Sequence, residues 1–236
     1  MSNIPRISYV AEGKTDLIVL DSLVERFLGT DDYQVNEIQP PSSAFVNDQG
    51  PLGGGWHGVL RWCETAGAAA GGFANAIALA NCDCLIIHVD ADIAMEKELQ
   101  SLALSAPCPP AKETCDKIRA HLLSLFGGSP PPKVVLCVPA QCTEAWVFAA
   151  LHSDDAAQFA PLECRLEPER LLIQKPDKLV RDKDGAAKKQ TAGYRAAADK
   201  IAANWPNATK TCGEAARFET ECRAALARIG QSPPTP

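Results

Sequence analysis

The sequence lacks a C-x-x-C pair although it holds ten cysteines, and no His stands at ligand spacing from a cysteine pair. A structural zinc site is therefore not expected, and Cys63, Cys82, Cys84, Cys108, Cys115, Cys137, Cys142, Cys164, Cys212 and Cys222 read as buried free thiols. It also lacks an excess of positive charge. Twenty-three Lys and Arg stand against 29 Asp and Glu, giving a net charge of -6 and a pI near 5.3. Contact with nucleic acid would then need a local basic patch, because the surface as a whole does not attract phosphate. No apolar run reaches the roughly 18 to 20 residues of a membrane span. The most apolar window, residues 66–80, is built of Ala and Gly and is interrupted by Asn75. Met1-Ser2-Asn3-Ile4-Pro5-Arg6 shows no charged leader before an apolar stretch, so a cytoplasmic protein with no membrane contact is expected. With 46% hydrophobic and 22% charged residues and a mean hydropathy of -0.09, the composition is neither disordered nor fibrous. A length of 236 residues suits one large domain, or a domain with a small appendage, rather than a repeat array.

Strand and helix signals alternate along the chain. Residues 7–11 form a short β-type run, and Leu17, Ile18, Leu20, Leu23, Val24, Phe27 and Leu28 then recur at helical spacing until Gly29. A second strand is predicted near residues 33–38, followed by a turn-rich surface loop over residues 39–58. Residues 59–81 predict an Ala-rich helix, although Gly67, Gly71 and Gly72 each weaken it by about 1 kcal/mol relative to Ala. Cys84-Leu85-Ile86-Ile87-His88-Val89 is continuously apolar up to its histidine, as a strand covered on both faces would be, and predicts a central strand. A helix over residues 111–126, closed by Gly127-Gly128, a strand over 134–138 and a helix over 143–151 follow. This order predicts an α/β fold, a mostly parallel sheet flanked by helices with right-handed crossovers, over residues 1–160.

Beyond Pro161 the composition shifts. Residues 170–200 hold nine basic against four acidic side chains, the one basic region of the chain. Helices are predicted over 193–203 and 214–229, and a frayed tail over 232–236, so residues 161–236 read as a basic, helical C-terminal subdomain packed on the sheet domain.

Acidic residues fall at the predicted strand ends. Glu12 follows the first strand, Asp90 and Asp92 close the central one, and Glu144 follows the strand over 134–138. In a parallel sheet the C-terminal strand ends share one edge, where ligands bind in open α/β folds, so separations of 78 and 54 residues need not keep these groups apart. A strand's period of two would aim Asp90 and Asp92 the same way. Two unit charges about 4 Å apart repel by roughly 1 kcal/mol even in water. Either some carboxylates are protonated or a divalent metal sits among them. Oxygen donors with no adjacent His or Cys favour Mg²⁺ or Mn²⁺. The plain alternative is that each acid is an ordinary turn or capping residue.

Glu12-Gly13 after the first strand and Asp90-x-Asp92 after a later one resemble the paired acidic motifs of the TOPRIM domain of topoisomerases, primases and several nucleases. Glu12-x-x-x-Asp16, Asp90-x-Asp92 and Glu144 within Cys142-Thr143-Glu144-Ala145-Trp146 are similar to the metal sites of the nuclease branch, the overcoming-lysogenization-defect nucleases and small RloB-like proteins. The resemblance covers residues 5–150 and little of the remainder. It implies a TOPRIM-like, Rossmannoid fold and two Mg²⁺ or Mn²⁺ ions held by Glu12, Asp16, Asp90, Asp92 and Glu144. The implied chemistry is two-metal phosphodiester hydrolysis of DNA or RNA. It also implies an assisting lysine, at Lys188 or Lys189, to neutralise charge developing on the phosphate. The plain reading of both lysines is a solvated helix face. Two departures stand out: the related motif has Ser where this chain has Cys142, and no ATPase segment is present, which implies dependence on a separate ATPase or regulatory protein.

Gly13-Lys14-Thr15 looks like the end of a P-loop but fails, because G-x-x-x-x-G-K-[ST] requires Gly where Ser8 stands. Lys14 is then a surface residue or a neighbour of the carboxylates. Trp56, beside His57 in the Gly-rich stretch, either stacks on a base or docks as part of a mobile loop. His88 is expected to be a packed histidine rather than a ligand, and His121 and His152 support no constellation. Two functions follow: a metal-dependent nuclease, antiphage or toxin-like in role, or a non-catalytic module that binds nucleic acid or protein through the same acidic edge.

Overall fold

A computed structural model describes residues 4–40, 52–102, 111–156 and 161–229. Four strands, β1 (Arg6–Val10), β2 (Gln34–Gln39), β3 (Cys84–His88) and β4 (Val134–Cys137), form an all-parallel sheet in the order β2-β1-β3-β4. The helices between them are α1 (Lys14–Leu28), α2 (Gly55–Gly67), α3 (Ile77–Ala80) and α4 (Ala111–Phe126). After β4 come α5 (Thr143–Leu151), α6 (Ser153–Ala156), a hairpin of β5 (Val180–Lys183) and β6 (Ala186–Lys189), and α7 (Thr191–Ala203), α8 (Trp205–Thr211) and α9 (Gly213–Leu226).

The period-two geometry of the strands divides the core into two layers. Ile7, Tyr9, Cys84, Ile86, Val135 and Cys137 face α1, α5 and α7 to α9. Val10, Leu85, Ile87, Leu136 and Val138 face α2 and α4. Every residue of β3 is buried, as befits a strand flanked by β1 and β4 and covered on both faces. From β1 the chain steps outward to β2 through α1 on one face. It then returns past β1 to β3 and on to β4 through α2 and α4 on the opposite face, as right-handed crossovers require. The direction of travel reverses between β1 and β3, so a crevice opens there at the C-terminal edge.

The C-terminal helices join the first layer. Trp146 of α5 meets Trp205 edge-on at 5.7 Å and stacks on Phe218 at 5.9 Å, locking α8 and α9 onto the helix that follows β4. Arg119 of α4 reaches across to Glu221 of α9 at 3.0 Å.

Four expectations change. The helix expected over 59–81 begins earlier, at Gly55, and stops at Gly67, where a Cβ would lie 1.9 Å from the Leu125 carbonyl oxygen. Gly71 and Gly72, both at φ above 80°, then turn the chain. The expected loop therefore loses its end to α2, and Trp56 and His57 stand in a helical first turn; residues 41–51 of that loop, Cys108 and the tail 232–236 lie outside the described residues. Eight cysteines are buried free thiols as expected, but Cys164 is disulfide-bonded. The lysine pair expected on a helix face stands on β6. Its hairpin turns through Asp184-Gly185, at φ 57° and 82°, and a two-residue turn with both φ positive matches the twist of the flanking strands.

Candidate functional site

Glu12 and Asp90 each leave the sheet two residues beyond a strand end, on opposite sides of the crevice between β1 and β3. Glu12 Oε1 accepts the backbone N–H of Asp90 at 2.6 Å, bridging the crevice directly. Asp16 enters from the first turn of α1. It fits because Gly13 carries no side chain: a Cβ there would sit 3.1 Å from Asp16 Oδ2. Asp90 turns its carboxylate to the start of α5, where Oδ1 accepts the Thr143 N–H at 3.1 Å, the kind of contact that favours an anion at a helix N-terminus.

His88 belongs to the centre. The alternation of β3 puts it on the Cys84 and Ile86 face, wholly buried. Its Nε2 lies 2.8 Å from Thr143 Oγ1 and 3.2 Å from Asp90 Oδ1. Ligand atoms of Asp16, His88 and Asp90 all fall within 4.8 Å of one another. His88 is packed, as expected, but it also adds one imidazole to a group that could hold a metal ion, where only oxygen donors were expected. The sequence signal was available, since a polar ring ending an otherwise apolar, doubly covered strand needs a polar partner at that strand's end.

Lys189, delivered by β6, stands 2.8 Å from Glu144 Oε2 and 3.4 Å from Asp16 Oδ1. Tyr194 of α7 donates its hydroxyl to the other Glu144 oxygen at 2.7 Å. Lys188, on the opposite face of the same strand, is exposed. Of the two lysine candidates, the geometry therefore joins Lys189 to the acids and leaves Lys188 outside. Asp92 also departs from expectation. The strand ends at His88 and Asp92 lies in a 3-10 turn (Ala91–Met95), so strand alternation does not aim it with Asp90. It is exposed, and so is Lys14 at the start of α1.

Crowding displaces the titrations in opposite directions. Burial and then the neighbouring Asp90 push Glu12 well above the usual carboxylate range. Glu144, wholly enclosed, is also raised by burial, which outweighs the pull of Lys189. Burial acts the same way on Asp16, but Lys189 and then His88 overcome it and hold that carboxyl low. Burial opposes charge on His88 as well. Asp90, then Asp16 and Glu12, reverse this and carry it up to about 9. Asp92, although exposed, is pushed up to about 7 by the protein packed around it and by Asp90. The centre thus pairs His88 with Asp90 and Lys189 with Asp16, and Glu12 and Glu144 are inclined to hold protons.

Two carboxylates suit a hard cation, and the imidazole broadens the choice towards softer ones. His88 Nδ1 is enclosed with no partner among the described residues, and both contacts of the ring, to Thr143 and Asp90, are made by Nε2, so the carboxylate or carbonyl that usually orients a ligating ring through its second nitrogen is not found among the described residues. The donor set still fits a divalent cation, with Asp16 and Asp90 supplying the charge. No helix among the described residues is long and apolar enough to cross a membrane. Set beside family models, curated proteins and solved structures, the chain matches none of them.

Proposed function

We propose that this chain is a divalent-metal-dependent nuclease that hydrolyses phosphodiester bonds with Mg²⁺ or Mn²⁺. The observation that carries the reading is the convergence of Glu12, Asp16, Asp90 and Glu144 at the reversal point of a parallel sheet, with Lys189 among them. Ordinary turn acids have no need to meet a lysine from a hairpin 173 residues away. The resemblance of Glu12-Gly13 and Asp90-x-Asp92 to the TOPRIM nucleases supports it, and with it an antiphage or toxin-like role under a separate ATPase or regulatory partner.

Asp16 and Asp90 would hold the cation with His88 beside them, and the ion would supply water activation and charge neutralisation at the phosphoryl oxygens. The chain's own residues do the rest. Glu12 fixes the Asp90 backbone and Thr143 fixes its carboxylate. Lys189 holds a positive charge at the mouth of the cluster, where a phosphate oxygen can replace one of its carboxylates.

One observation favours the alternative, a non-catalytic binding module: the pairs His88–Asp90 and Lys189–Asp16 are complete without any ion. Cleavage decides between them. Purified protein is incubated with labelled DNA and RNA in Mg²⁺ or Mn²⁺ beside Asp90→Asn and Glu12→Gln. The nuclease reading predicts metal-dependent cleavage reduced at least 100-fold in both variants. Equal cleavage by the variants would mean a contaminant or the wrong site, and no cleavage by the folded, metal-bound wild type on any substrate would favour the module.

A further inference from the structure

The hairpin that delivers Lys189 has a second face. Side chains alternate across its strands, so Lys189 and Val180 point inward, while Arg181, Lys183 and Lys188 share the outward one. Arg181 and Lys188 are a directly opposed cross-strand pair, and like charges placed so are destabilising. A two-stranded hairpin has little stability to spare. The arrangement is not the residue of a generally basic surface, since the chain carries a net charge of -6.

Nearby acids do not neutralise this face. Of the nine cations over residues 170–200, Arg170 pairs with Glu167, Lys175 with Asp155, Lys200 with Asp177 and Lys189 with Asp16 and Glu144, while Lys178 and Arg195 are exposed outside the hairpin strands. Asp177 is shared with His152 as well. Asp182 lies on the inward face and accepts the Gly185 N–H at 3.0 Å. Asp184 occupies the turn, beyond the paired residues. The side chains of Arg181, Lys183 and Lys188 have no ion-pair or hydrogen-bond partner among the described residues, Gln190 reaching only the Lys188 carbonyl, and all three are exposed.

From this we infer that the outward face of the β5–β6 hairpin binds the sugar–phosphate backbone of nucleic acid, Arg181, Lys183 and Lys188 each neutralising a phosphate beside the centre that Lys189 enters from the other face. The inference builds on the nuclease reading by naming where the substrate rests, but binding can hold even where cleavage fails. A polyanion relieves the Arg181–Lys188 repulsion and releases its own counterions on doing so, which is why this partner fits three unpaired cations in a row. Contacts of this kind position a strand and do not read its sequence.

The test is fluorescence-anisotropy binding to single-stranded and duplex oligonucleotides in EDTA, over a range of salt concentrations. The Arg181→Gln/Lys183→Gln/Lys188→Gln variant is compared with wild type. An Arg195→Gln/Lys210→Gln/Arg228→Gln variant removes the same charge from other exposed positions, and circular dichroism checks the fold of both. Losing three phosphate contacts should flatten the slope of log affinity against log salt by about 2 to 3, and affinity should fall equally across sequences. The control variant should bind like wild type. Wild type failing to bind, the hairpin variant binding unchanged, or both variants losing equally would overturn the inference. So would capture by anionic vesicles in place of oligonucleotides. Asp90→Asn separates the two claims: if it binds like wild type while no form of the protein cleaves, the hairpin surface stands and the nuclease reading falls.

Discussion

Lys189 carries more of the site than any other single side chain. It compensates Asp16, which is almost wholly buried, and lies 2.8 Å from Glu144, which burial inclines to hold a proton, while remaining partly exposed itself. Removing one partner of a buried pair leaves the other charge uncompensated, which costs about 3 to 5 kcal/mol. Lys189→Met is therefore expected to lose about 3 kcal/mol, the lower end because of the lysine's own exposure, in urea unfolding without divalent ions. Mn²⁺ should restore part of the loss by taking the lysine's place against Asp16. Lys188→Met, one residue away but on the outward face, should change stability by less than about 0.5 kcal/mol. Equal effects of the two substitutions would mean that the strand, not the inward charge, matters. At this scale the sequence put Glu12 and Asp90 at the crevice, because a carboxylate two residues beyond a parallel strand has few places to go, but it aimed Asp92 along a strand that ends at His88. It did not select between the two lysines, since that depends on which face of β6 turns inward. Nor was His88 placed beside the acids, although a polar ring at the end of an apolar, doubly covered strand was a signal for a polar partner there.

Among the elements, α5 is the hinge between the sheet and the C-terminal helices. Its first turn supplies Thr143 to Asp90 and Glu144 to Lys189, and two residues later Trp146 is clamped by Trp205 and Phe218. Phe218→Ala should cost about 3 to 5 kcal/mol, as large-to-small changes at buried aromatics do. It should also lower cleavage more than a stability-matched change such as Ile118→Ala on the opposite face of the sheet, because it loosens the helix that holds Glu144. Parallel decline in both variants would mean that α5 is not specially coupled. The elements themselves were largely legible. Strands β1 to β4, α4 and α5 carry patterns strong enough to locate them to within a residue, and α1 to within three. The break of the Ala-rich helix depends on how closely Gly67 approaches Leu125, a tertiary contact that no local pattern encodes. The hairpin is different: Asp184-Gly185 between two short runs is a strong local turn signal, obscured here by strands of four residues rich in Lys and Asp rather than in β-branched side chains.

In the molecule as a whole, the sheet order puts its one reversal point where the acids are densest, and the C-terminal segment closes over that point with a lysine. A fold that gathers like charges in one buried place gives up stability unless the arrangement serves a ligand. The account accordingly rests on a divalent cation binding between Asp16 and Asp90. The most direct measurement is Mn²⁺ titration followed by electron paramagnetic resonance, on wild type and on an Asp16→Asn/Asp90→Asn variant shown by circular dichroism to be folded. Saturable uptake by wild type, displaced by excess Mg²⁺ and lost in the variant, is the predicted result. Uptake that is the same in both, or no uptake by folded wild type, would contradict it.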